Sequence, residues 1–243
     1  MFTGQENSER FIKAYESIRK TLHNRLERAG NRVKRGDFKS LITLSKKADD
    51  KLITQKFEFL SSCADIRNIM QHNSNKNGVP FTIPRSDVVE QLEALARKIT
   101  NPGKASDYMV KNPAIISYND TLKDASHYII GQNFSQIPVY DKTEYKGLLT
   151  TNAISRWLAE SIEEDESIVQ EKITVKDILP FSEAFEGAEF IAPYTDALQA
   201  SGKLQSNNAP PALLVTTTGK QSGELQGILT RHDVWKIENN EIP

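Results

Sequence analysis

Arg67, Asn68 and His72 stand close together in the stretch CADIRNIMQHNSNKNG, residues 63–78. An imidazole titrates near neutrality and so moves protons at physiological pH. A guanidinium is a fixed cation whose forked donors match the oxygens of a phosphate in a charged transition state. Asn68 adds a neutral donor and acceptor that orients either the phosphate or the imidazole. This is the inventory of a phosphodiester-cleaving site. The same residues also read as the polar end of a core helix, with Arg67 salt-bridged to its bundle and His72 and Asn73 finishing the helix. Geometry separates the two readings. At 100° per residue, positions five apart lie about 140° from one another around a straight helix. Arg67 and His72 converge only where the helix ends or unwinds near His72. The helix-breaking run HNSNKNG begins there.

A second group lies near the C-terminus, in GILTRHD, residues 227–233. A β-type run passes into a helical one near Arg231. The free N–H groups of a helix start and the Thr230 hydroxyl suit a phosphate. Arg231 or His232 supplies a charge-assisted partner for it. The alternative is purely local: Thr230 caps the helix and Asp233, three residues on, closes a capping box.

The chain that holds these groups has 243 residues, enough for one large domain or two modest ones. Its single cysteine, Cys63, excludes an internal disulfide and a cysteine zinc cluster, and reads as a small core residue. No apolar run approaches the roughly 20 residues of a membrane helix. The N-terminus MFTGQENSERF lacks the basic-then-apolar order of a signal peptide. A cytoplasmic protein is expected. The net charge of −1 conceals an asymmetry. Residues 1–105 carry 20 Lys+Arg against 12 Asp+Glu, whereas residues 106–243 carry 11 against 20. A basic half suits a polyanion such as RNA, or else the acidic half or a partner subunit.

Apolar periodicity supplies the elements. Phe11, Ile12, Tyr15, Ile18, Leu22 and Leu26 form one stripe of a long helix over 7–35, with Ser8 near its start and Gly30 as a stop. Asp37 is placed to cap a second helix. A third runs over about 50–72, with Phe57, Leu60, Ala64 and Met70 on its apolar side. Ser86 is expected to cap a fourth, along which Val88, Leu92, Leu95 and Ile99 repeat. After Gly103 the pattern changes to strand (114–117), helix (120–131), strands (137–140 and 146–149) and helix (152–161). The acidic link SIEEDES leads into a second copy of this order. Asp107 and Asp177 anchor the two copies 70 residues apart, and Gly147 and Gly227 anchor them 80 apart. The drift falls in FSEAFEG and TTTGKQSGE. The fold class is α+β: an all-α bundle over 1–103, then a repeated β-α-β-β-α region over 104–243, with copies at 104–162 and 172–238.

The blocks DYMVKNPAIISYNDTLKDA, FSQIPVYD and the paired GLLT/GILT strands resemble a tandem pair of cystathionine β-synthase (CBS) domains over about 104–238. That family implies a pseudo-twofold module whose clefts bind adenine nucleotides or related adenosyl ligands: AMP, ADP, ATP or S-adenosylmethionine. Its Thr-x-x-Asp pattern implies that Asp233 accepts both ribose hydroxyls. Its cross-over pattern implies one cleft built from Asn112 to Ser117, Ser135, Ile137 and Pro138 of the first copy and Thr230, Arg231, His232 and Asp233 of the second. The other cleft departs from the pattern, with Ala153 where the ribose carboxylate should stand and NAPPALLV as its strand. One nucleotide site per chain is therefore expected. His127 receives no role. The first hundred residues resemble a HEPN domain, carried by DIRNIMQHN and by VPFTIPRSDVVEQLEALARKITNP. That resemblance implies a homodimer whose paired Arg67 and His72 cleave RNA through its own 2′-hydroxyl, without metal. Two functions follow. One is an adenosyl-sensing regulator controlling a ribonuclease domain. The other is a non-catalytic nucleotide-binding dimerisation module. Neither involves a membrane.

Overall fold

The computed structural model describes residues 4–31, 37–48, 50–72, 82–163 and 173–239, with the side chains of His72 and Glu163 left aside. The chain divides into two compact units, Met1–Pro102 and Gly103–Pro243.

The first unit is helical. It contains α1 (Gly4–Arg28), α2 (Phe38–Lys47), α3 (Lys51–Gln55), α4 (Phe57–His72) and α5 (Ser86–Thr100). The α1 stripe Phe11, Tyr15, Ile18, Leu22 and Leu26 is buried against α2 and α5, and α2 packs on α4. Polar straps fix α1 on α5. Arg10 donates two bonds to Glu93, at 3.0 and 2.6 Å, and Arg25 donates to the Ile99 carbonyl at 2.7 Å. Gly30 stops α1 as expected. Its φ of 79° is left-handed, and Asn31 N–H reaches back to the Leu26 carbonyl while Gly30 N–H reaches Glu27. Asp37 caps α2 by accepting from Ser40 N–H at 2.7 Å.

Four local expectations are corrected. Helix α1 starts at Gly4, ahead of Ser8, whose hydroxyl bonds the Gly4 carbonyl instead. The run over 50–72 is two helices, because the chain turns at Lys56 and Asp50 caps a separate short α3. Ser86 is the first residue of α5 and not its cap; its hydroxyl accepts from the Asn7 amide at 3.0 Å. Val89, not Val88, is the fully buried valine of α5.

The second unit begins with α6 (Ala105–Tyr108), β1 (Val110–Lys111), β2 (Ile116–Ser117), α7 (Leu122–Gln132), β3 (Gln136–Asp141), β4 (Glu144–Thr150) and α8 (Thr151–Glu163). It continues with α9 (Val175–Ile178), two 3₁₀ turns at Leu179–Phe181 and Ala184–Glu186, then β5 (Glu189–Ile191), α10 (Ala197–Leu204), β6 (Ala212–Thr216), β7 (Leu225–Thr230) and α11 (Arg231–Asn239). Two sheets result, in the orders β2-β3-β4 and β1-β7-β6-β5. The lead-in segments are exchanged. Ala105 and Tyr108 of α6 are buried with Ile191, Ala197, Leu204 and Leu229 of the later half. Val175 and Ile178 of α9 are buried with Ile116, Val139 and Trp157 of the earlier half. The bridges Lys104–Asp196 and Thr121–Thr174 and the antiparallel β1–β7 pair complete the exchange.

The close approach of β1 to β7 depends on Gly227. A Cβ there would meet Met109 Sδ at 2.3 Å and the Val110 carbonyl at 3.0 Å. Gly202, inside α10, has open space around it. Gly227→Ala is expected to lower unfolding stability by about 1–3 kcal/mol through overpacking, and Gly202→Ala to raise it by about 0.5–1 kcal/mol, read from urea denaturation. The Asp37 cap predicts a pH effect. Its bonds from Ser40 hold the carboxyl below its usual range. A lowered folded pKa contributes stability above the unfolded pKa, and that stability is lost as pH falls through the folded value. Asp37→Ala should therefore cost about 1 kcal/mol at pH 7, and the difference from wild type should shrink steadily as urea titrations are taken below pH 4.

Candidate functional site

The turn from β7 into α11 is built around one carboxylate. Asp233 is only 3 % exposed. Its Oδ2 accepts from Thr230 N–H at 2.9 Å and from the Thr230 hydroxyl at 3.2 Å. Its Oδ1 faces Lys236 Nζ at 3.4 Å. Asp233 thus makes the return half of the capping box foreseen as the local alternative, its carboxylate accepting from the Thr230 N–H, and it sits at the helix start. Arg231 and His232, flanking it, are both exposed.

Strand pairing brings other candidates to this end. Ala212 of β6 pairs with Thr230, and Gln136 of β3 donates to the neighbouring Pro211 carbonyl at 3.0 Å. Ser135 hydrogen-bonds Gln136 side chain to side chain, and its carbonyl accepts from Thr151 N–H at 3.1 Å. Ile137 and Pro138 follow as buried strand residues paired with Leu149 and Leu148. Asn112 lies further along β7: its N–H donates to Gln226 at 3.1 Å, four residues from Thr230 or about 13 Å at strand rise, and its φ of 48° turns the chain. Ser117 is displaced likewise. It pairs with Tyr140, four residues along β3 from Gln136, or about 13 Å at strand rise. Its hydroxyl is engaged in the local turn with Asn119 N–H. Lys236 and Gln136 escaped the sequence reading. Lys236 was in reach of an i+3 rule from Asp233; Gln136 carried no signal.

In the helical unit, Arg67 and Asn68 line a cleft of about 260 Å³ with Tyr15, Arg19, Asp37 and Lys39. Arg67 lies 3.6 Å from Glu16 and over the Tyr15 ring at 5.7 Å. Glu16 also binds Arg19 at 2.7 Å, and Lys39 binds Asp65 at 2.7 Å. Burial pushes the Tyr15 hydroxyl up to about 12, so it stays protonated. Asn68 is exposed. His72 is the last residue of α4, and its side chain lies outside the described residues, as does all of Asn73. Since α4 runs through His72, the backbone positions of Arg67 and His72 are about 140° apart. Cys63 is fully buried and its thiol is pushed up to about 12 by burial, an inert core residue as expected.

Among the described residues no group of three or more His, Cys, Asp or Glu gathers as a metal site. No described helix is long and apolar enough to cross a membrane.

No curated protein matches the chain. Among solved structures, CBSX2 in complex with AMP shares 17% identity, covering 56% of this chain and 96% of its own, with a TM-score of 0.42. CbpB in complex with c-di-AMP shares 17% over 57% of this chain and 85% of its own, at 0.43. The CBS domain of a bacterial CNNM/CorC family Mg2+ transporter, in complex with ATP, shares 18% over 63% and 97%, at 0.44. Residues 105–160, which carry α6 through most of α8, match the family model of the CBS domain.

Proposed function

We propose that this protein is an adenosyl-nucleotide sensor. The region over 104–243 acts as a tandem CBS pair with copies at 104–162 and 172–238. It binds one AMP, ADP, ATP or S-adenosylmethionine per chain at Thr230–Asp233, and so controls the HEPN-like helical domain over 1–103. The observation that carries this reading is the buried Asp233 carboxylate at the β7–α11 turn, joined through Ala212 and Pro211 to Gln136, the first residue of β3. A carboxylate held at a helix start, beside exposed Arg231 and His232, offers ribose acceptors and phosphate donors in one place. Lys236 is the group that a ribose must displace from Oδ1. Asn112, Ile137 and Pro138 supply the adenine side of the cleft, with Ser117 at its far end. Linkage to the helical domain requires that the ligand bind one arrangement of the domains more tightly than another.

In this reading the effector is a metal-independent, cytoplasmic endoribonuclease acting as a homodimer. Arg67 stabilises the phosphorane, Asn68 orients it, and His72 transfers the proton. A specific observation favours the non-catalytic alternative: Arg67 is held by Glu16 of its own bundle. In that alternative the helical unit dimerises or binds a protein partner.

Asp233→Asn keeps an acceptor for the cap and loses the charge. It should weaken nucleotide binding ten- to a hundredfold, about 1.5–3 kcal/mol, by titration calorimetry against each of the four ligands. Unchanged affinity, or no binding of any of them to wild type, sinks the sensor reading. For the effector, full-length protein is incubated with RNA with and without each ligand. Cleavage that is lost in both Arg67→Ala and His72→Ala supports the ribonuclease. Cleavage absent throughout, or unchanged in His72→Ala, leaves the non-catalytic module.

A further inference from the structure

Strand register relates the two halves of the C-terminal unit residue by residue. Gln136 and Ala212 pair with Thr150 and Thr230, and the pairs Ile116–Val139 and Ile191–Val215 correspond. On this register Ala153 is the counterpart of Asp233, and Arg156 of Lys236. The position of the ribose carboxylate is thus empty of charge in the second cleft, yet the cation one turn further on is retained. Arg156 is tied to the segment that follows α9. Its Nε donates to the Phe181 carbonyl at 2.7 Å, and its Nη2 pairs with Glu186. Glu186 is 3 % exposed. Glu183 adds a second carboxylate 3.9 Å from Arg156, and its N–H donates to Glu186 at 3.1 Å. The extra residues FSEAFEG, which have no equivalent in the first copy, form this arrangement. They lead into β5 as Asn112 and its neighbours lead into β2. The Ser182 hydroxyl, within this segment, is buried with no hydrogen-bond partner among the described residues.

We propose that the Arg156–Glu186 pair seals the second cleft from within. The 181–187 segment takes the place of a ligand, and the unit binds a single adenosyl ligand per chain. The stoichiometry rests on the sensor reading above; the seal does not. The absence of a carboxylate at Ala153 removes ribose recognition, and the ion pair removes the space as well.

The seal is tested by thiol accessibility in the full chain carrying Ser182→Cys, with a small aromatic disulfide as the probe. Cys63 is fully buried and gives a silent background, which wild type checks. Labelling of Cys at 182 should be slow, and should accelerate at least tenfold when Arg156→Ala is added, with Arg156→Lys in between. Equal rates with and without Arg156 overturn the seal. Glu186→Gln provides a second route should Arg156→Ala unfold, because it keeps the volume and loses the charge; it too should label faster, and an unchanged rate counts against the proposal. Calorimetry of wild type with AMP should then give one site per chain. Two sites overturn the proposal. No AMP binding overturns the stoichiometry and leaves the thiol rates alone to decide the seal.

Discussion

The exchange of lead-in segments between the halves of the C-terminal unit is the constraint on which its other features depend. Ala105 and Tyr108 complete the core of the later half, and Val175 and Ile178 complete that of the earlier half. Neither half therefore buries its own apolar face without sequence from the other. The strands of the two sheets are only two to seven residues long, so each sheet has a small apolar face of its own. The exchange also sets where clefts open, because each lead-in segment runs from the core of one half to the first strand of its own. Asn112 is held to β7 by the same β1–β7 pairing that buries Tyr108. Asn112 is thus positioned by the residues that hold the unit together.

The two clefts then diverge through charge. At the first, Asp233 is answered by Lys236 one turn along the same helix at 3.4 Å, the carboxylate buried and the ammonium partly exposed. At the second, the carboxylate has moved from the helix to the inserted segment, and the pair joins two elements 30 residues apart. In both pairs the carboxylate is buried and the cation partly exposed, so breaking either leaves an uncompensated buried charge. The pairs differ in reach: Lys236–Asp233 closes a single helical turn, whereas Arg156 also ties α8 to the segment before β5 through the Phe181 carbonyl.

Legibility in the sequence followed the range of the interaction. The helices of the first unit were read from periodicity, and the Asp37 cap and Gly30 stop from local chemistry, because these signals lie within one turn of the residue concerned. The division at Lys56 was missed since the apolar stripe continues across it, and only the Asp50 cap marks a new start. Ser86 was misread because a serine before a helix is ordinarily a cap; here Asn7, 79 positions away, takes its hydroxyl into a tertiary bond. The Thr230–Asp233 pair was legible as a three-residue spacing, and the loss at Ala153 by comparing the copies. The Arg156–Glu186 pair was not, because neither periodicity nor spacing links a helix residue to a carboxylate in an irregular insertion. Residue pairs that span elements are fixed by topology, which strand-pairing register reveals and composition does not.

The basic balance of the first 105 residues does not by itself make the Arg67 cleft an anion trap. Around it, Arg19, Lys39 and Arg67 stand against Glu16, Asp37 and Asp65. An RNA phosphate entering there competes with Glu16 for Arg67. The competition is winnable on magnitudes. Glu16 and Arg67 are both partly solvated, their separation is 3.6 Å, and such pairs contribute roughly 0–1 kcal/mol. A phosphate gains short, charge-assisted, bidentate bonds to the same guanidinium. Glu16 meanwhile keeps Arg19 at 2.7 Å, so releasing Arg67 leaves no carboxylate without a cation. The arrangement stores Arg67 in a weak, shared pair over the Tyr15 ring, oriented before any phosphate arrives. That same weakness means that the Arg67–Glu16 pair contributes little to holding the bundle together.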